Sequence, residues 1–208
     1  MTETPSRKTA PYQVLLMFAI LIATIALGFF MMPSSQEERD RLLGELGTTN
    51  HGTLLKPAKE ITALSLLDEN GAPWEFKDQK SKWRMLIIPA AGGCDSDCEQ
   101  LLYLSRQVHV RLAKHSNRLE RAFVATEGLP GPALSKEIAD NHPHIRVLHT
   151  SAANLAAWLE GSGSRAAEGV AEVVLVDTSG LAMMVYDKRH DGNDMLEDIS
   201  HLLKYSPQ

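Results

Sequence analysis

The stretch LIIPAAGGCDSDC, residues 86–98, decides the fold because it connects an apolar run to the two cysteines of the chain. The apolar run predicts a buried strand, the two glycines predict a turn, and the apolar spacing of residues 99–104 predicts a helix. Cys94 and Cys98 are therefore predicted at the beginning of a helix. Unpaired backbone N–H groups and the positive end of the helix dipole lie there, and both stabilise a thiolate.

The spacing of the cysteines leaves several roles open. Cys94 and Cys98 are four residues apart, so they lie on one helix face with about 6 Å between their Cα atoms. Such a pair could exchange disulfides, share a metal ion or only staple the loop. The glycines and acidic residues around them argue against the remaining alternative, a pair of buried structural thiols.

The two aspartates of this stretch favour metal handling or slow disulfide exchange. Asp95 and Asp97 attract a soft cation such as Cu(I) toward the thiolates, and their negative charges oppose thiolate formation. The alternative for both aspartates is that they satisfy backbone N–H groups at the start of the helix.

An apolar run near the N-terminus predicts a transmembrane helix. Residues 12–32 carry no charge and would span about 31 Å as a helix, close to the ~30 Å of a hydrocarbon core. The alternative, a cleaved signal peptide, usually has a shorter apolar region that ends at small residues. The sequence thus divides into a cytoplasmic tail at 1–11, a transmembrane helix at 12–32, a linker at 33–58 and a domain at 59–208.

The charges give further expectations about location and partners. Arg7 and Lys8 before the apolar run are matched by Arg39 and Arg41 after it, but long domains translocate largely regardless of charge, so we expect the domain outside the cytoplasm. From Glu37 onward the chain has 19 basic and 25 acidic residues, a net charge of −6. Nucleic acid is not an expected partner of such a surface.

The remaining sequence predicts an α/β domain. Residues 61–67 alternate like a half-buried strand, and a turn follows at 68–71. Strands interleaved with helices, followed by a terminal hairpin and helix, indicate a mixed sheet. The further strands are predicted at 83–89, 118–126, 145–148 and, as a hairpin, 173–186; the helices are predicted at 95–114, 133–141, 153–159 and 194–205.

This order of elements, with a cysteine pair after the first central strand, resembles the thioredoxin fold. The apolar N-terminal helix, the segment LSLLDENG at 64–71 and the Cys-x-x-x-Cys spacing resemble the Sco family of copper chaperones more specifically. The resemblance implies a thioredoxin-like (Sco-like) mixed sheet flanked by helices. In that family the cysteine pair and a distant histidine bind copper for delivery to the binuclear copper site of cytochrome c oxidase.

The chain is similar, in addition, to single-span membrane proteins of bacterial cytochrome c oxidase gene clusters. The similar segments are NHGTLLKP at 50–57, GAPW at 71–74, CDSDC at 94–98 and LYLSRQV at 102–108. This resemblance implies a single-pass protein of the bacterial inner membrane whose C-terminal domain is periplasmic. It implies that Cys94 and Cys98 assist assembly of cytochrome c oxidase by Cu(I) handling or thiol reduction, with an oxidase subunit or its copper chaperones as partner.

Two alternatives to this function stay open. One is a general membrane-tethered thiol-disulfide oxidoreductase, in which Cys94 attacks and Cys98 resolves. The other is a non-catalytic thioredoxin-like scaffold whose disulfide stiffens the loop.

The sequence departs from both families in one loop. Residues 163–172, where a Sco-type histidine would be expected, contain no histidine, and they lack the proline that thioredoxins place near that point. A third copper ligand is therefore not identified. Four histidines in loops and turns of the domain are predicted to lie on the surface: His142, His144, His149 and His190.

Overall fold

The computed structural model describes residues 10–31, 49–126 and 128–206. The first element is helix α1, Ala10–Met31, which meets the length and composition of a membrane span over Tyr12–Phe30. Residues 1–9 of the predicted tail and residues 33–48 of the predicted linker lie outside the described part of the chain. From Asn50 onward the chain forms a separate compact unit.

This unit contains a six-stranded mixed sheet. In chain order the strands are β1 Thr53–Glu60, β2 Trp83–Ile88, β3 Leu119–Ala125, β4 Ile145–His149, β5 Glu172–Val176 and β6 Leu181–Tyr186. Their order across the sheet is β1-β6-β5-β2-β3-β4. Strands β2, β3 and β4 are parallel, whereas β5 pairs antiparallel with both β2 and β6, and β1 pairs antiparallel with β6.

Helices cover both faces of the sheet. They are α2 Ser96–Arg111, α3 Pro132–Asn141, α4 Ala152–Leu159 and α5 Gly192–Tyr205. Helices α2, α3 and α5 pack over Met85 and Ile87 of β2, and α4 packs with Leu86 and Ile88 on the other face. Because β2 is buried on both faces, its residues do not alternate between apolar and polar, and Met85–Ile88 form a continuous apolar run. The predicted thioredoxin-like mixed sheet flanked by helices is confirmed.

The first strand lies earlier in the chain than predicted. The predicted strand at 61–67 is wrong: Ile61–Ala63 is a short 3₁₀ helix, and only Leu67 makes isolated bridges, to Pro73 and His149. Its apolar alternation arises because Ile61, Leu64 and Leu66 pack onto one face of the sheet. Residues 53–58, which the sequence assigned to the linker, instead belong to β1. The proline and the polar residues of this segment are typical of a linker, but an edge strand tolerates them.

A buried carboxylate fixes the point at which the chain enters this unit. Asp198 of α5 accepts the backbone N–H groups of His51 and Gly52 at 3.0 and 2.9 Å and the hydroxyl of Tyr186 at 3.1 Å. A Cβ atom on Gly52 would lie 2.5 Å from the sulfur of Met184. Hydrogen bonds and close packing therefore hold β1 against β6 and α5.

Candidate functional site: a disulfide beside a groove

The two cysteines lie together where β2 feeds α2, as the sequence predicted. After β2 the chain turns through Gly92 and Gly93, both with positive φ, a conformation that glycine adopts without steric cost. Cys94 and Cys98 then form a disulfide with 5.1 Å between their Cα atoms. The turn and the first turn of α2 therefore bring the two sulfurs within bonding distance.

The two sulfurs differ in accessibility. Cys98 is fully buried in the apolar cluster beneath α2. Cys94 is only partly buried and lies at one end of a groove of about 700 Å³ between α2 and α3. Cys94 therefore faces the groove from which a partner could approach, whereas Cys98 is shielded from solvent.

The two aspartates are engaged by the protein itself. Asp95 caps α2, because its carboxylate accepts the backbone N–H of Cys98 at 3.0 Å. This confirms, for Asp95, the prediction that it satisfies an N–H group at the helix start. Asp97 instead pairs with Lys188, Oδ2 to Nζ 2.9 Å, and this contact raises the pKa of Lys188. The lysine offsets negative charge that would repel a thiolate or attract a metal ion.

The loop at 163–172 lies against the segment that leads to the cysteines. Gly169 accepts the backbone N–H of Ala91 at 3.2 Å, and a Cβ atom on Gly169 would lie 2.7 Å from the Cβ atom of Ala91. Its φ of +83° also favours glycine. The loop in which the Sco-type histidine was sought is therefore beside the site, and a glycine makes the contact.

The soft donor atoms that this site offers are the two cysteine sulfurs. Within residues 10–31, 49–126 and 128–206, no cluster of three or more His, Cys, Asp and Glu side chains is placed to hold a metal ion. The reduced pair could supply two soft thiolates, the ligand type that Cu(I) prefers. A three-ligand site of two cysteines and a histidine does not fit the described residues.

The wall of the groove contains a histidine that the sequence analysis misplaced. His142 was predicted on the surface, yet it is only 7% exposed and lines the same groove as Cys94. Its Nδ1 atom lies 3.4 Å from Nη2 of Arg121, and burial and the guanidinium both lower the pKa of His142. The ring is therefore neutral near pH 7. Because Nδ1 faces an obligatory donor, its proton resides on Nε2.

Arg121, on β3, is itself a residue that sequence reasoning missed. It is 3% exposed and donates to the carbonyl of Leu102 at 3.0 Å and the hydroxyl of Ser105 at 3.1 Å. Burial lowers the pKa of Arg121 to about 10. The available signal was its position within LERAFVA, a strand whose other residues are mostly apolar.

Comparison with known proteins gives the family. Residues 83–206 match the model of the family described as "Transmembrane-like, thioredoxin-like, C-terminal domain". The chain belongs to this family. No curated protein matches the chain. The family match begins at β2 and ends with α5, so it contains the whole disulfide site.

Solved structures of Sco proteins share the fold of this transmembrane-like, thioredoxin-like family member. Copper-bound yeast Sco1 has a TM-score of 0.55 and 16% identity, covering 77% of this chain and 97% of that one. Copper-bound ScoI of Arabidopsis thaliana has a TM-score of 0.52 and 14% identity, covering 69% and 97%. BsSco, described as a member of the Sco family of cytochrome c oxidase assembly proteins, has a TM-score of 0.52 and 12% identity, covering 72% and 96%. These likenesses establish the fold.

Proposed function

We propose that this protein is a membrane-anchored thiol-disulfide exchange protein that assists assembly of cytochrome c oxidase. Its single span, α1, would lie in the bacterial inner membrane, and its thioredoxin-like domain would lie in the periplasm. The observation that carries the proposal is the unequal exposure of one disulfide: Cys94 faces a groove, and Cys98 is buried at the start of α2.

The exchange begins with the reduced pair. The Cys94 thiolate attacks a client disulfide, a bond forms between Cys94 Sγ and one client sulfur, and the other client sulfur leaves as a thiolate that takes up a proton. The Cys98 thiolate then attacks Cys94 Sγ, which forms the intramolecular disulfide and releases the first client sulfur. Two electrons pass to the client, and a dithiol protein must reduce the pair again, since the periplasm is oxidising.

Local electrostatics support attack by Cys94. Its sulfur adjoins the N-terminus of α2, where the helix dipole stabilises negative charge. The contact between Lys188 and Asp97 offsets part of the acidic charge beside it.

Three observations support the proposed location and partner. Helix α1 has the length and composition of a span. The segments at 50–57 and 102–108 resemble proteins of bacterial oxidase gene clusters, and BsSco shares the fold and is described as belonging to a family of oxidase assembly proteins. The proposed partner is a cytochrome c oxidase subunit or one of its copper chaperones.

Trapping of mixed disulfides tests the exchange chemistry. In Cys98→Ser the accessible Cys94 thiol lacks its resolving partner, so this variant should accumulate mixed disulfides with clients. Cys94→Ser, the matched control, should trap far less because Cys98 is buried. Equal trapping by both variants would contradict the assigned roles. A reduction potential of the wild-type pair below about −300 mV would indicate a structural disulfide on a non-catalytic scaffold.

A general oxidoreductase is distinguished by genetics. Deletion of the gene should lower cytochrome c oxidase activity, with other disulfide-dependent periplasmic enzymes unaffected. Loss of several such enzymes together would indicate the broader activity instead. Reporter fusions at the C-terminus test the periplasmic orientation.

Cu(I) handling is the second candidate, favoured by the 5.1 Å separation of the two cysteine Cα atoms. Two thiolates at this spacing could hold Cu(I) as cargo for delivery. Titration of the reduced protein with Cu(I) should then show uptake that disappears in both Cys94→Ser and Cys98→Ser. No uptake, or equal uptake by the variants, would remove copper from the function; restoration of oxidase activity by added copper in the deletion strain would support it.

A further inference from the structure

The groove beside Cys94 contains a cation without a partner. Arg106 of α2 is half-buried and lines the groove. Among the described residues it forms neither a hydrogen bond nor an ion pair. Its guanidinium is therefore available to a ligand.

A second cation lies beneath the same wall. Arg121 is only 3% exposed, and its hydrogen-bond partners are the neutral groups of Leu102, Ser105 and His142. No carboxylate in the described ranges pairs with it. The positive charge of Arg106 also lowers the pKa of Arg121, so the two guanidinium groups repel one another. A buried charge without a counterion costs free energy, which an anion in the groove would offset.

The groove also offers a neutral donor. His142 lines it, and because Nδ1 accepts from Arg121, the ring carries its proton on Nε2. Glu99 and Glu137 line the groove too, but both are exposed and neither forms an ion pair with Arg106. Glu137 accepts a hydrogen bond from Asn141 at 2.8 Å. Water and salt screen these exposed carboxylates far more than they screen Arg121.

We propose that the groove recognises an acidic side chain in the client segment that carries the reacting cysteine. This inference rests on the proposed exchange function and names its substrate class. Cys98, whose sulfur is bonded to that of Cys94, precedes Arg106 by eight residues, which is about 12 Å along the helix axis. An extended segment advances about 3.3 Å per residue, so the acidic residue should lie three or four positions from the cysteine. Leu102, Tyr103 and Leu134 line the groove and would contact the residues between.

Disulfide-linked peptide dimers test the proposal with the reduced full-length chain in detergent. The first peptide has Glu three positions before and three positions after its single cysteine. The second has Gln at those positions, and the third has Glu directly on both sides of the cysteine, so that its net charge equals that of the first. We expect the first peptide to be reduced about tenfold faster than the other two, equivalent to ~1.4 kcal/mol.

Two arginine variants identify the source of this preference. The Arg106→Gln variant of the protein should reduce all three peptides at similar rates. Arg111→Gln removes the same charge from the same helix, but Arg111 lies outside the groove and donates to Asn193, so this variant should retain the preference. A preference that falls equally in both variants would arise from the overall electrostatic field of the domain and not from the groove. That result would overturn the proposal.

The remaining outcomes separate this inference from the proposed function. Reduction of all three peptides at equal rates by the wild type would overturn the acidic-client proposal and leave the exchange function standing. If no peptide is reduced, the exchange function fails. Binding of S-methylated peptides to the oxidised protein then tests whether the groove recognises an acidic residue. Tighter binding of the first peptide that is lost in Arg106→Gln would support recognition; equal binding of all three would overturn it.

Discussion

Two buried arginines on neighbouring strands show how differently the two faces of this sheet treat a charge. Arg84 on β2 is 1% exposed; its Nε donates to Glu120 at 2.8 Å, and its terminal nitrogens donate to the carbonyls of Lys80 and Lys82. Its guanidinium also lies over the rings of Trp74 and Phe76, 5.5 and 4.8 Å from their centroids. This site supplies a counterion and two backbone carbonyl acceptors.

Arg121 on β3 receives no such compensation from the part of the chain that the structure describes. It lies on the face covered by α2 and α3, where its acceptors are neutral and its charged neighbour is another arginine. Burial lowers the pKa of both arginines, but a carboxylate opposes that effect only at Arg84. The difference suggests that Arg84 serves stability, whereas Arg121 and Arg106 keep positive charge available beside Cys94.

Replacement of Arg84 should have the largest effect on the free energy of unfolding. Arg84→Met removes an ion pair, two carbonyl contacts and two ring contacts, so the free energy of unfolding should fall by about 3 kcal/mol. Urea denaturation followed by tryptophan fluorescence measures this, because Trp74, Trp83 and Trp158 all lie in the thioredoxin-like unit. A loss below about 1 kcal/mol would remove the contrast between the two arginines.

Removing the counterion instead should have a smaller effect. Glu120→Gln leaves Arg84 buried with neutral acceptors only, which is the situation of Arg121. We expect a loss of about 2 kcal/mol, the size of a hydrogen bond to a charged group. Part of this loss arises from Arg146, which also pairs with Glu120 at 3.0 Å. Arg146→Gln is the control, because it removes only the ion pair between Arg146 and Glu120. An equal loss of stability in the two variants would mean that the counterion of Arg84 contributes little.

Loss of Arg121 should cost least among these substitutions. Arg121→Met replaces an uncompensated buried charge by an apolar side chain of similar length, so the free energy of unfolding should stay within about 1 kcal/mol of wild type or rise. The same variant should lose part of its preference for acidic peptides. A stability loss as large as that of Arg84→Met would show that Arg121 is a structural residue.

The pH dependence of stability sharpens the comparison further. Burial lowers the pKa of His142 and His109 from the ordinary 6.5, and the charge of Arg121 lowers both further. The unfolded chain then binds protons that the folded protein does not, so these histidines make stability fall as the pH drops below about 6.5. Arg121→Met should lose less stability than wild type between pH 7.5 and 5.5, measured as urea midpoints. Parallel pH profiles would contradict an electrostatic link between these residues.

The predictable parts of this fold are those whose local pattern and tertiary role agree. Strand β2 is apolar apart from Arg84 because both faces of the sheet are covered, and the hairpin of β5 and β6 has the same character apart from Glu172. Strand β1 was missed because an edge strand has fewer packing and hydrogen-bonding demands, so KPAKE within it resembles a linker. A strand was wrongly predicted at 61–67 because an irregular segment that packs onto a sheet can have the same alternation of apolar and polar residues as a strand.

The candidate site was predictable only in its covalent part. The spacing of Cys94 and Cys98, together with the glycines before them, indicated a pair at a helix start that could exchange disulfides, hold a metal ion or staple the loop. The role of Asp95 as a helix cap was predictable, whereas that of Asp97 was not, since Lys188 approaches it from a distant turn. His142 appeared to be a loop histidine, and its burial results from the packing of α3 and Arg121 around it.

By itself the sequence determined an apolar N-terminal segment, an α/β domain and a cysteine pair, because hydrophobic periodicity and residue spacing are local properties of the chain. The tertiary structure alone decided which sulfur faces solvent and which charges are compensated. Those features depend on residues far apart in sequence: β3 places Arg121 beneath α2, and α3 closes the groove over it. Burial changes the free energy of a charge through its surroundings, and a linear sequence does not state what those surroundings are.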